Sequence, residues 1–172
     1  MRVRSAAAED AARLLEIYSH YVVHTAISFE YEVPSEEEFR KRVTNTLQKY
    51  PYLVIEEEGE IKGYAYAGPF SPRAAYDHSC ETTVYLDRNV RGRGYGRMLY
   101  EALEADLKER GILNLYAKIA SPEVEDEYLT GASRRFHSRL GFTKVGEFHR
   151  CGRKFGRWYN MICMEKIIGE HI

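Results

Sequence analysis

Apolar residues recur at helical spacing in some stretches of this chain and alternate with polar ones in others, and the order of the two patterns predicts its elements. Val3 to Ser5 reads as a short first strand. From Glu9 to about His24 the residues Leu14, Ile17, Tyr18, Tyr21 and Val22 fall on one helical face, without a Ser or Thr cap at the start. Thr25 to Val33 is an aromatic connector, too short and polar for a strand, that suits a substrate-side loop. Ser35 with Glu38 makes a capping box for a helix carrying Phe39, Val43 and Leu47, and Pro51 ends it.

Tyr52 to Glu56 and Ile61 to Gly68 are strands around a Glu58-Gly59-Glu60 turn, which predicts an antiparallel hairpin. Pro69 to Ser79 is a loop, Glu81 to Leu86 a strand, and Gly94 to Arg110 a helix whose Met98, Leu99, Ala102, Leu103 and Leu107 face a sheet. Gly111 stops that helix, and Ile112 to Ala120 is the next strand. An acidic loop over Ser121 to Glu127 precedes a short helix from Ser133 to Leu140, closed by Gly141. Phe142 to His149 and Arg157 to Lys166 close the chain as two strands joined by a turn over Cys151 to Gly156. Without repeats, linkers or low-complexity segments, residues 1–172 read as one domain.

The stretch from Val84 to Tyr100 carries the candidate chemistry. A strand runs into a glycine-punctuated turn and then a helix, so unpaired N–H groups and the positive end of the helix dipole converge on one anion site. Gly92, Gly94 and Gly96 let the backbone approach a phosphate, and Arg88, Arg91, Arg93 and Arg97 add positive charge. The spacing lacks the third glycine of a dinucleotide fingerprint and the Gly-Lys-Ser/Thr of a nucleotide-and-magnesium loop.

With net charge -1 there is no global basic field for nucleic acid or an anionic membrane, so the arginine cluster implies a local ligand. Cys80, Cys151 and Cys163 are widely spaced, without a zinc pattern, and read as reduced thiols in a cytoplasmic protein. His20 and His24 lie one helical turn apart, but without a neighbouring glutamate and a third ligand they read as surface or packed residues, so no metal is expected. No signal core or apolar run approaching a membrane span is present.

Arg-x-x-Gly-x-Gly at Arg91, Gly94 and Gly96, between strand and long helix, resembles the coenzyme A pyrophosphate loop of the GNAT superfamily of N-acetyltransferases. The order of elements matches that fold over nearly the whole chain, implying an α/β (α+β) domain: a central, mostly antiparallel twisted sheet of about seven strands with helices on both faces. Four segments are similar to the phosphinothricin (L-amino acid) N-acetyltransferase branch: Tyr76 to Tyr85, Phe29 within Thr25-Ala26-Ile27-Ser28-Phe29, Ser133-Arg134-Arg135-Phe136-His137 with Leu140-Gly141-Phe142, and Gly152 to Tyr159 with its Lys-x-Gly-x-Trp turn. Departures are Thr130 and Ser138, where that branch has Asn and Glu, and a longer acidic loop. Phosphinothricin is anionic, so Glu123, Glu125, Asp126 and Glu127 would repel it or favour a cationic amine, unless the run is a solvated surface loop.

The resemblance implies transfer of acetyl from acetyl-CoA to the amino group of a small amino acid or analogue. Glu81 is the candidate general base, with a solvated strand-end acid as its alternative; Tyr128 is a candidate proton donor to the departing thiolate if the acidic loop folds over the site, and His137 a candidate to exchange protons with sulfur or water, equally readable as structural. The cofactor would meet Val84, Tyr85, Leu86, Arg91, Gly92, Arg93, Gly94, Tyr95, Gly96, Arg97 and Ser133, with backbone N–H groups near Val84 orienting the thioester carbonyl. Phe29, Arg73 and Tyr76 are implied acceptor contacts, core packing being the alternative for Phe29, and Trp158 reads as a buried anchor. A homodimer is expected from the resemblance. Other expectations are acetylation of a polyamine, an aminoglycoside or a protein terminus, or a CoA-binding regulatory module without turnover.

Overall fold

Helical and strand periodicities separate into distinct elements in a computed structural model that describes residues 1–172. β1 (Arg2–Ser5) leads through a 3-10 turn (Ala8–Asp10) to α1 (Ala11–His24) and α2 (Glu36–Leu47). β2 (Tyr52–Glu57), β3 (Glu60–Pro69) and β4 (Ser79–Leu86) precede α3 (Tyr95–Glu109), β5 (Asn114–Ser121) and α4 (Ala132–Arg139). β6 (Thr143–Lys154) and β7 (Arg157–Ile167) complete one sheet of order β1-β2-β3-β4-β5-β7-β6, antiparallel throughout except between β4 and β5.

Strand alternation sends one set of side chains to each face of this sheet. Leu14, Ile17, Tyr18 and Val22 of α1 and Phe39 and Val43 of α2 pack on Tyr52, Val54 and Tyr64. On the other face Leu99, Leu103 and Leu107 of α3 pack on Leu53, Ile55, Ala65, Leu115, Ile162 and Met164, with Phe136 of α4 against the same core. Tyr95 and Tyr100 of α3 are also buried, widening the apolar face beyond the aliphatic positions that the sequence singles out.

Several element ends differ from the sequence reading. α1 starts at Ala11, because the carboxylate of Asp10 accepts a bond from the Ala7 N–H at 2.8 Å and pairs with Arg4 at 2.8 Å, holding a 3-10 turn ahead of the helix. Ser35 Oγ accepts from the Glu38 N–H at 3.1 Å as the capping pattern predicts, while the Glu38 carboxylate turns to Arg42 at 3.4 Å. β5 begins at Asn114 and β6 at Thr143, not at Ile112 and Phe142, because those two residues complete helix caps. Ile112 N–H bonds the Leu107 carbonyl and Phe142 N–H the His137 carbonyl, each at 3.0 Å, past Gly111 and Gly141 in left-handed conformation at φ 81 and 94. The expected six-residue turn over 151–156 is strand up to Lys154, with only Phe155 and Gly156 turning at φ 51 and 72. A bulge at Arg150 (φ 49), whose N–H bonds Asn160 Oδ1 at 2.7 Å, absorbs the irregularity upstream.

Candidate active site

The parallel pair decides where a ligand fits. β4 and β5 share register only from Ser79, Cys80 and Glu81 to Asn114, Leu115 and Tyr116. Beyond Glu81 they part, and from Thr82 to Leu86 the edge of β4 turned away from β3 carries no strand partner. The resulting cleft encloses 190 Å³ and reaches both sheet faces: Glu81, Thr83, Tyr66 and Lys118 line it on one, Val84, Ala117, Ile119 and His137 on the other. An extended amide-bearing chain can pair with the open β4 edge as an added strand would.

Beyond the far end of β4 lies the glycine loop. Gly92 and Gly94 take φ 69 and 78, conformations that L side chains resist, and nothing would crowd a Cβ at either. None of the N–H groups from Arg91 to Arg97 donates to another group of the chain, so they remain available to an anion at the start of α3. Gly96 has a different reason: a Cβ there would lie 2.8 Å from Phe136 Cζ, so glycine lets α4 pack against α3. The arginines divide as well. Arg93 pairs with Glu57 at 3.0 Å and Arg97 with Glu101 at 2.9 Å, whereas Arg88 and Arg91 have no carboxylate partner.

Glu81 stands at the closed end of the cleft, its carboxylate 3.3 Å from Lys118 Nζ and one third exposed. It therefore stays within reach of water and of an amine approaching from the α1 and α2 face. His137 is buried, and both its ring nitrogens are engaged. Nδ1–H donates to the Ser133 carbonyl at 2.8 Å, which leaves Nε2 to accept from the Tyr100 hydroxyl at 2.8 Å, and that oxygen lies 3.0 Å from Thr82 Oγ1. Burial lowers the His137 pKa and keeps the ring neutral. The chain runs from α4 through α3 to β4, so it braces one wall of the cleft and leaves no His137 nitrogen free to meet a thiolate.

The acceptor side departs most from expectation. Tyr128 stacks on Phe155 with ring centroids 4.1 Å apart and lies under Arg157, outside the cleft, while its neighbour Leu129 lines it. Phe29 packs beside Ala26, Leu129 and Tyr159 and covers Gly152, where a Cβ would approach to 2.3 Å; its neighbour Ile27, two residues earlier, reaches the cleft. Arg73 and Tyr76 are exposed on the loop before β4, with Tyr76 against Phe70 and Phe70 against Tyr116. Trp158 is 59% exposed, so the expected buried anchor is a surface residue. The acidic loop is neither bare nor simply solvated. Glu123 pairs with Arg150, Glu125 with Arg135, and Asp126 and Glu127 both with Arg157.

Other residues become visible only through folding. Tyr66, Thr83, Lys118 and Leu129 line the cleft from separate elements. The Tyr21 hydroxyl donates to the Leu86 carbonyl, fixing α1 to the end of β4. Lys154 is buried, with Nζ donating to the Val22 and Ser28 carbonyls at 2.7 Å each, and its place in Lys-x-Gly-x-Trp was the available signal. His20 and His24 have ring centroids 5.4 Å apart, and no cluster of three or more His, Cys, Asp or Glu is arranged around a common point. No helix is long and apolar enough to cross a membrane.

The family model described as an acetyltransferase (GNAT) domain matches residues 3–163. A phosphinothricin N-acetyltransferase of Streptomyces coelicolor is 36% identical over 96% of this chain and 95% of its own. An L-methionine sulfoximine/L-methionine sulfone acetyltransferase of Salmonella typhimurium is 33% identical over 99% and 96%. Among solved structures, a GNAT superfamily phosphinothricin acetyltransferase of Sinorhizobium meliloti in complex with acetyl-CoA superimposes with TM-score 0.88 at 32% identity, covering 98% of this chain and 88% of that one.

Proposed function

The chain belongs to the GNAT acetyltransferases, and from that membership we propose that it moves the acetyl group of acetyl-CoA to the α-amino group of a small amino acid or analogue of the phosphinothricin or methionine sulfone type. The observation that carries the reading is the cleft between β4 and β5, open to both sheet faces, with Glu81 at its closed end and the arginine-glycine loop beyond its other end. The open β4 edge and the unpaired N–H groups of 91–97 fit a pantetheine arm and a diphosphate respectively. When bound, acetyl-CoA supplies an activated thioester carbonyl.

The residues then divide the work. The Glu81 carboxylate takes a proton from the acceptor ammonium, directly or through water, a service worth about a hundredfold to ten-thousandfold. Backbone N–H groups near Val84 hold the carbonyl oxygen as charge develops. The Thr82, Tyr100, His137 and Ser133 chain keeps the wall rigid, and Arg88 and Arg91 meet the diphosphate. Ile27, Tyr66 and Leu129 border the acceptor side. Phe29 and Tyr76, from family resemblance, and Arg73 with them stay candidate acceptor contacts, each needing the acceptor or a second subunit to bring it to the cleft; Tyr128 stays a candidate proton donor only where the acidic loop moves it over the site.

Exposed Val145 and Phe148 on β6 and Trp158 on β7 support a homodimer through the terminal hairpin, and Phe148→Glu should lower the mass seen by light scattering to that of one chain. Three free cysteines fit a cytoplasmic location. The function is tested by free-thiol release from acetyl-CoA with phosphinothricin, methionine sulfone, other amino acids, polyamines and aminoglycosides. Turnover with the amino acids supports the reading. Turnover with polyamines or aminoglycosides alone moves the acceptor class, and none with any amine returns the chain to a CoA-binding role.

A further inference from the structure

We infer that Glu57, the last residue of β2, is a positioning residue for the cofactor diphosphate, acting through Arg93 and Tyr95; this rests on the acetyl-CoA reading above. Its carboxylate accepts the Tyr95 hydroxyl at 2.5 Å and pairs with Arg93 at 3.0 Å, and the Arg93 guanidinium lies over the Tyr95 ring at 5.7 Å. Tyr95 opens α3 and is buried to 1% exposure, so its side chain reaches from the mouth of the loop back to the sheet.

The loop needs such a tether. Its first half is fixed by Asp87, whose N–H bonds the Lys62 carbonyl at 2.9 Å and whose carboxylate pairs with Arg13 at 2.5 Å. From Arg91 to Tyr95 no backbone N–H is bonded within the chain, and Gly92 and Gly94 remove the torsional resistance that other residues would supply. Beside the packing of the Tyr95 ring in the core, Glu57 supplies the polar fastening of the second half, and that fastening orients the N–H groups that receive the diphosphate. Arg93, held by this carboxylate, acts as a strut of the loop, leaving direct phosphate contact to Arg88 and Arg91.

The sign of the effect separates this role from simple electrostatics. A carboxylate beside an anion site repels the anion, so charge removal alone tightens CoA binding. A positioning role gives the opposite result. In Glu57→Ala the dissociation constant for CoA, measured by calorimetry on the full chain, should rise roughly tenfold, as loss of a bond to a charged group implies. Tyr95→Phe changes no net charge and should move in the same direction, and the double variant should bind much as the weaker single one does. With acetylpantetheine, which lacks the diphosphate, the loss in kcat/KM should be roughly tenfold smaller than with acetyl-CoA. Equal or tighter CoA binding by both variants overturns the role of Glu57, as do equal losses with both donors. A native chain that fails to bind CoA overturns this role and the proposed function together; a native chain that binds while both variants match it overturns this role alone.

Discussion

Lys154→Met probes how the β6–β7 hairpin holds the segment between α1 and α2. Lys154 is 4% exposed, and its ammonium donates to the Val22 and Ser28 carbonyls at 2.7 Å each, with the Phe155 ring centroid 5.3 Å away. Val22 lies in the last turn of α1, and the N–H of Ala26, its helical partner by spacing, instead bonds the Tyr128 carbonyl at 3.1 Å. Methionine fills similar space and leaves both acceptors bare. Two bonds from a charged donor contribute roughly 3 to 6 kcal/mol together. Removing a buried ammonium recovers several kcal/mol of desolvation, so the net loss should be roughly 1 to 3 kcal/mol. At roughly 2 to 4 °C per kcal/mol for a chain of this size, the midpoint of thermal unfolding should fall by about 2 to 12 °C. Because Ser28 adjoins Ile27 in the cleft wall, the acceptor KM should rise while the CoA dissociation constant holds. A variant as stable as the native chain, or more so, would show that desolvation outweighs the two bonds. An unchanged acceptor KM would separate Lys154 from the site.

Three further tests address the cleft and its loop. Glu81→Gln should keep CoA binding and lose roughly a hundredfold or more in turnover near neutral pH; equal activity with an equal pH profile would remove it as the base. Gly94→Val places a β-branched residue at φ 78 in open space, so strain of roughly 1 to 2 kcal/mol falls on the loop and not on the core. The CoA dissociation constant should rise, and unchanged affinity would reject the anion-loop reading. For His137, burial lowers the folded pKa below the ordinary 6.5. Above that value both folded and unfolded chains hold a neutral ring; below it the unfolded chain takes up a proton first, so stability is lost as pH falls, by up to about 1.4 kcal/mol per unit until the folded pKa is reached. Urea unfolding from about pH 7 down to about pH 5 should show this slope, and His137→Gln should flatten it; an identical slope in the variant would assign it to other groups.

The sheet, its helices and the glycine loop were legible because each rests on a local rule: the aromatic and β-branched runs of β2 and β3 around a Gly59 turn, the Ser35 cap, Gly111 and Gly141 beyond helix ends, Gly92 and Gly94 before α3. Element ends were less legible where a distant partner intervened. Asp10 holds its turn with Arg4, and the Arg150 bulge depends on Asn160, ten residues away across the hairpin. Local sequence carries no mark of either pairing. The same limit governs the site. Glu81, Val84 and Ser133 come together at the cleft as expected, but Lys118 and Leu129 join them only because β4 and β5 separate after a short parallel contact. His137 was found from its place in α4, whereas the Tyr100 and Ser133 bonds that occupy its nitrogens follow from packing.

Charge in the acidic loop is the clearest case of folding changing a chemical inference. Four carboxylates in sequence suggest a wall that repels an anionic acceptor. Folding brings Arg150, Arg135 and Arg157 against Glu123, Glu125 and the Asp126 and Glu127 pair, so four negative charges meet three positive ones and one negative charge is left over. Asp126 also accepts the Tyr128 and Leu129 N–H groups at 2.8 and 2.9 Å and the Tyr159 hydroxyl at 2.8 Å, which points its carboxylate into the loop and onto β7. These bonds hold its pKa below the usual carboxylate range despite desolvation, as expected for a group that fastens structure. The run therefore ties the loop to α4 and to the terminal hairpin, and its nearly cancelled charge leaves an acceptor bearing a carboxylate free to approach. Selection among acceptors then falls to groups facing the α1 and α2 side of the cleft, where Glu81 is balanced by Lys118; Glu30 and Arg42, paired in the adjoining pocket that shares Tyr66 and Tyr85, add no net charge nearby. A wall of paired charges suits a zwitterionic amino acid better than a polycation, which is the direction of the acceptor class proposed above.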